Sequence, residues 1–79
     1  MNDNEILDKV STIIRDITGD DEAVLTHESS AEDVQNWDSM NHISIIVAIE
    51  QSFGIKFRMA ELEDAKNIGA MIDLIKSQL

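Results

Sequence analysis

Ile6, Val10, Ile13 and Ile17 recur at three- and four-residue intervals, and Leu7 and Ile14 widen the stripe. That period predicts an amphipathic helix from Glu5 to about Thr18. Asp3 or Asn4 stands where a side chain can accept from the first free amides, and Gly19 takes a positive φ at low cost at the other end. From Asp20 to Trp37 the period dissolves into acids, Ser, Thr and His, with only Val24, Leu25, Val34 and Trp37 as apolar anchors. This reads as a loop longer than compact domains ordinarily use, and such loops often carry function.

Periodicity resumes at Ser39 and runs to Phe53, with Asp38 as a candidate N-cap and Gly54 as the stop. Ile55 lies where it can fold back on this helix. Ile55 and Phe57 alternate as in an extended segment, and Met59 to Ala65 supplies one or two further helical turns. Asn67 caps a last helix whose stripe is Ile68, Met71, Ile72, Ile75 and Leu79. The expected fold is all-α: a small four-helix bundle, three main helices and one short one, in a single domain over residues 1–79.

The second helix carries more apolar surface than one face needs. At about 100° per residue, Ile45, Ile46, Ile49 and Phe53 gather on one side, and Met40, Ile43 and Val47 on another. Either the helix buries one broad stripe, or Met40, Ile43 and Val47 form an exposed patch of the kind that marks an interaction site. Periodicity alone leaves both open.

Composition narrows the function classes. The chain has 79 residues, no Cys, no Pro, and 16 acids against 6 Lys plus Arg, for a net charge of −10. At this size only about 60% of the unfolded surface can be buried, which excludes a deep cleft between domains. Without cysteine the chain builds no disulfide, thiolate zinc site or thiol nucleophile of its own. The longest apolar run, Ile45 to Ile49, is too short to span a bilayer, and no signal-like segment begins the chain, so a cytoplasmic protein without membrane insertion is expected. The negative charge disfavours nucleic acid and favours basic protein surfaces. It is uneven, −9 up to Asp38 and −1 beyond it. His27 and His42 lack the close spacing of metal ligands and read as solvated side chains, and Asp16 to Glu28 lacks the alternating acids and glycine of a calcium loop. No metal site or catalytic constellation is expected.

Asp38-Ser39-Met40 opens the second helix. Asp and Ser are common capping residues, so this triplet has a purely structural explanation. It also has a chemical one. Free amides and the positive end of the helix dipole stabilise an anion, so a phosphate esterified to Ser39 would be well placed, at the mouth of a long loop and beside an apolar patch.

Trp37-Asp38-Ser39-Met40, followed by Ile43, Ile46, Ile49, Glu50, Phe53, Gly54 and Ile55, resembles the attachment-site region of acyl carrier proteins. The resemblance extends through Phe57, Leu62, Ile68, Ile72 and Ile75 and back to Ile6–Ile17, and so covers the chain. It implies a non-catalytic carrier. A phosphopantetheinyl transferase would attach the 4'-phosphopantetheine of coenzyme A to Ser39, and the arm's thiol would carry acyl groups as thioesters between separate biosynthetic enzymes. Asp38 would cap the helix and assist the transferase. Met40, Ile43 and Val47, with Trp37, Glu50 and Glu63, would meet acyl-loading and acyl-using enzymes through their basic or apolar docking surfaces, the carrier itself being a monomer. Trp37 reads first as a packing anchor, with contact to the arm as the alternative.

The chain also departs from the family pattern. Asn41, Ser44, Gln51 and Ala60 stand where acids are common, leaving Glu50, Glu61, Glu63 and Asp64; Trp37 replaces a small residue, Met40 a leucine and Arg58 a proline. These departures point to a specialised carrier with a dedicated pathway and a short, polar or modified cargo. An aminoacyl or peptidyl carrier shares the serine arm, and an acidic helical adaptor without any prosthetic group is the reading from another class.

Overall fold

The computed structural model describes residues 2–65 and 67–79. Four α-helices follow one another: α1 (Asp3–Thr18), α2 (Ser39–Phe53), α3 (Met59–Asp64) and α4 (Ile68–Gln78). The expected all-helical bundle of three long helices and one short one is the architecture found. A single turn of 3-10 helix, Ala31–Asp33, interrupts the long connection between α1 and α2.

Each long helix begins on a polar cap and two of them end on glycine. Asn2, rather than Asp3 or Asn4, starts α1: its side chain accepts from Glu5 N while the Glu5 carboxylate reaches back to Asn2 N. This reciprocal pair satisfies two amides with no helical carbonyl and starts the helix two residues before Glu5. Gly19 and Gly54 close α1 and α2 at φ 76° and 67°, the left-handed conformation glycine adopts without a Cβ clash. After Gly54, Ile55 N donates to Glu50 O at 3.1 Å, and the Ile55 side chain folds back into the core. Asn67 caps α4 by accepting from Ala70 N.

The core takes Ile6, Val10 and Ile14 from α1, Ile45, Ile46 and Ile49 from α2, and Ile68, Met71, Ile72 and Ile75 from α4, with Leu25, Val34 and Trp37 from the connection. In α1 the buried line therefore runs through Ile14 and on to Thr18, and Ile13 and Ile17 are only half-buried at its margin. Thr18 can lie inside because its hydroxyl donates to Ile14 O at 2.7 Å. Two apolar residues expected to anchor the fold do not. Val24 is 84% and Leu79 57% exposed, one in the connection between α1 and α2 and the other one turn beyond the last buried residue of α4. Among the described residues no helix is long and apolar enough to cross a membrane.

The long connection is held by α4. Ile68 N donates to Ser29 O and Gly69 N to His27 O, each at 2.8 Å, so two amides at the start of α4 find acceptors in the loop. A Cβ on residue 69 would stand 2.9 Å from His27 O, and glycine is what lets the strand of loop lie so close. The loop's other end is fixed by Asn36, in the left-handed region at φ 66°, whose side-chain amide donates to Thr18 O at 3.1 Å.

α1 and α4 are also joined at the surface, where Lys76 Nζ lies 2.6 Å from Asp3 Oδ1. The hydrogen bond from Lys76 holds the Asp3 carboxyl below its ordinary value, and Asp3 in turn raises Lys76. A depressed carboxyl stabilises the fold above its unfolded value of about 3.9 and loses that contribution as pH falls through and below it. The raised lysine contributes below its unfolded value and loses its share as pH rises through the folded one. Asp3→Asn should therefore lower the melting temperature slightly at pH 7, with the gap to the unaltered protein narrowing as pH falls below about 4 and shrinking in high salt. A gap that persists undiminished at pH 3 would show that the pair is not its source.

Candidate functional site at the start of helix α2

Asp38 has extended backbone, φ −99° and ψ −175°, its Oδ1 accepts from Asn41 N at 2.8 Å, and its carbonyl accepts from His42 N at 2.8 Å. It is the cap, as expected. Ser39 is thereby the first residue of the helix proper. It is exposed, and among the described residues its hydroxyl makes no hydrogen bond. Its own amide and that of Met40 point out of the helix end with no helical carbonyl to meet, where the dipole favours an anion.

The approach to the serine is fastened by side-chain hydrogen bonds. Asn41 Nδ2 donates to Asn36 O at 2.6 Å, which ties the first turn of α2 to the left-handed residue just before Trp37. Trp37 is 9% exposed and joins the core, so the packing-anchor reading holds. Its indole Nε1 donates to His42 Nδ1 at 3.1 Å, and the two rings are nearly parallel, 24° apart with centroids 6.1 Å apart. His42, expected to be solvated, is instead held against the loop by this bond and stack. The signal available was its position five residues after the tryptophan, on the turn that faces back toward the loop. Asn36 and Asn41 carried no sequence signal beyond the general tolerance of Asn for turns. His27, also expected to be solvated, is half-buried, with Nε2 closed off from solvent 4.0 Å from Asp3 Oδ2 and without a hydrogen bond. Among the described residues no group of His, Asp and Glu is arranged to hold a metal ion.

The two faces of α2 separate cleanly. Ile45, Ile46 and Ile49 are buried, whereas Met40 is 81%, Ile43 66% and Val47 44% exposed. The broad-stripe alternative is thereby set aside. Ile43 and Val47 border a cavity of about 360 Å³ between α2 and α3, whose far wall includes Met59, Leu62 and Glu63. Glu50 is half-buried, and one of its carboxylate oxygens accepts from Phe57 N at 2.8 Å, so it also fixes the segment that leads into α3. A second cavity of about 360 Å³ opens on the other side of the helix start and is lined by Ala31, Trp37, Asp38, Ser39 and His42.

Residues 8–75 match a family model described as a phosphopantetheine attachment site. The chain is 36% identical over 80 residues to an acyl carrier protein of Thermosynechococcus vestitus, covering 100% of this chain and 98% of that one. To an acyl carrier protein of Thermotoga maritima it is 32% identical over 75 residues, covering 95% and 93%. Its fold is similar to the solution structure of holo acyl carrier protein from Geobacter metallireducens, with a TM-score of 0.84 and 42% identity over 91% of this chain and 83% of the other. A serine-bearing helix start in a four-helix bundle, matched along nearly its whole length by these relatives, places the chain in the acyl carrier protein family, whose members carry a covalently attached 4'-phosphopantetheine.

Proposed function

We propose that Ser39 is the attachment point of the phosphopantetheine arm and that the protein shuttles acyl groups, as thioesters on that arm, between separate enzymes of a biosynthetic pathway. The observation that carries this reading is the Ser39 hydroxyl: exposed, unbonded, and held at the first turn of a helix whose capping is done by its neighbour Asp38. The donor chemistry fits the group. A phosphodiester on Ser39 Oγ would lie beside amides that have no other acceptor, and the thiol the family's chemistry needs comes with the arm, since the chain has no cysteine. The residues do no bond-making themselves. Ser39 supplies the oxygen, Asp38 fixes the turn that presents it and offers the transferase a charged neighbour, and the bundle supplies a stable frame.

In this reading the protein acts as one domain and a monomer in the cytoplasm, and its partners are a phosphopantetheinyl transferase and acyl-loading and acyl-using enzymes. Met40, Ile43 and Val47 form the apolar centre of the docking face, with Glu63 at its rim and Trp37 and Glu50 at its edges. Because α2 carries Glu50 as its single acid, this face offers partners apolar contact more than charge, and complementary charge mainly sets encounter rate and specificity. That favours a specialised carrier. A general malonyl transferase of fatty acid synthesis should load it markedly more slowly than it loads its own carrier, and equal rates would remove the specialised reading.

The attachment itself is tested by intact-protein mass after incubation with coenzyme A, magnesium and a broad-specificity transferase. The docking face is tested by Val47→Ala. With Val47 44% exposed, its truncation should cost less than about 1 kcal/mol of stability yet slow acyl transfer to a partner enzyme. A loss near 2 kcal/mol or more with unchanged transfer would place Val47 in the core rather than on a docking face.

A further inference from the structure

The cavity that begins at Ser39 holds an arrangement that neither capping nor core packing requires. Its lining consists of Ala31, Trp37, Asp38, Ser39 and His42. Of these, Asp38 is an acceptor already engaged with Asn41 N, and the Trp37 indole N–H is spent on His42 Nδ1. The indole nitrogen can only donate, so His42 Nδ1 must accept, and the ring's proton sits on Nε2. Trp37 thus fixes both the tautomer and the ring plane of His42. Nε2–H has no acceptor among the described residues, and once Ser39 is esterified it is the single uncommitted side-chain donor lining this cavity. His42 also lines the α2–α3 cavity and a small one that runs toward Asn67 and Met71, so it stands where the three meet.

We infer that the Trp37–His42 pair is a docking shelf for the proximal part of the phosphopantetheine arm. The inference rests on the assignment of the arm to Ser39. His42 Nε2–H donates to an oxygen of the phosphodiester, and the pantoyl methyl groups pack on the imidazole and the exposed remnant of the indole. The proximal arm is rich in acceptors and apolar at its branched carbon, which is the complement of one oriented N–H beside aromatic carbon. The consequence is directional. The arm leaves Ser39 on the loop side of α2, over Ala31 and Trp37, and keeps Met40, Ile43 and Val47 clear for partners. His42 is then a positioning residue for the prosthetic group.

Trp37 is the only tryptophan of the chain, so the shelf has its own reporter. The experiment loads isotope-labelled protein with unlabelled coenzyme A, verifies loading by mass, and records isotope-filtered NOEs between arm and protein. The expected result is NOEs from the pantoyl methyl groups to Trp37 and His42 ring protons, a shifted indole N–H resonance, and loss of those NOEs in loaded His42→Ala. A full mass gain with no such NOEs and an unmoved indole resonance overturns the shelf and leaves the Ser39 assignment standing. NOEs to Met40, Ile43 and Val47 methyls in their place overturn it equally. Absence of any mass gain with folded protein overturns the Ser39 assignment and the shelf together.

Discussion

Ser39→Ala protein is expected to gain no mass with coenzyme A, magnesium and transferase, whereas the unaltered protein gains a single phosphopantetheine. The effect on loading is all or none because the oxygen that would form the ester is gone. The effect on folding is expected to be small, within about 0.5 kcal/mol, because the cap is the Asp38 carboxylate and the exposed Ser39 side chain has no bond to lose. Had the serine itself been the cap, its removal would cost about 0.5 to 2 kcal/mol. Equal thermal melts with complete loss of loading therefore separate chemistry from structure. A variant that still acquires the arm would move the attachment to another residue.

Ile49→Ala should have the largest effect on folding. Ile49 is fully buried on the opposite side of α2 from Val47. Truncating a buried isoleucine removes transfer free energy and leaves a cavity, together about 2 to 5 kcal/mol. Small domains hold only about 5 to 15 kcal/mol in all, so the melting temperature should fall by about 10 °C or more. Two residues before it, Val47→Ala should scarcely move the melt. If the two substitutions cost the same, the separation of α2 into a core face and a docking face is wrong.

That separation marks the limit of what the chain discloses by itself. Helix ends were legible wherever a short-range signal sets them: Asp38, Gly54 and Asn67 act on amides or carbonyls within a turn of themselves, and each does what its residue type implies. The start of α1 was misplaced by two residues because Asn2, Asp3 and Asn4 are all competent caps, and the choice falls to whichever has Glu5 three residues on to complete the reciprocal bond. Periodicity could show that α2 has two apolar faces but not which one α1 and α4 cover, since that depends on packing between distant segments. The candidate serine stood out through its neighbours. The Trp37–His42 pair did not, because a hydrogen bond between side chains across a helix start has no sequence pattern of its own, and a lone histidine carries little information until its partner is seen.

The bonds between the loop and α4 have a consequence for the order in which the protein is made. Translation delivers Ser39 and its loop well before Ile68 and Gly69, whose amides hold Ser29 and His27 in place, and before Ile72 and Ile75, which complete the core beneath α2. A nascent chain that stops short of Asn67 already displays the serine, but in an unfinished frame. An enzyme that recognises the framed serine rather than the triplet around it would pass over such a chain, and with the arm on Ser39, as proposed, its presence would record that synthesis reached α4.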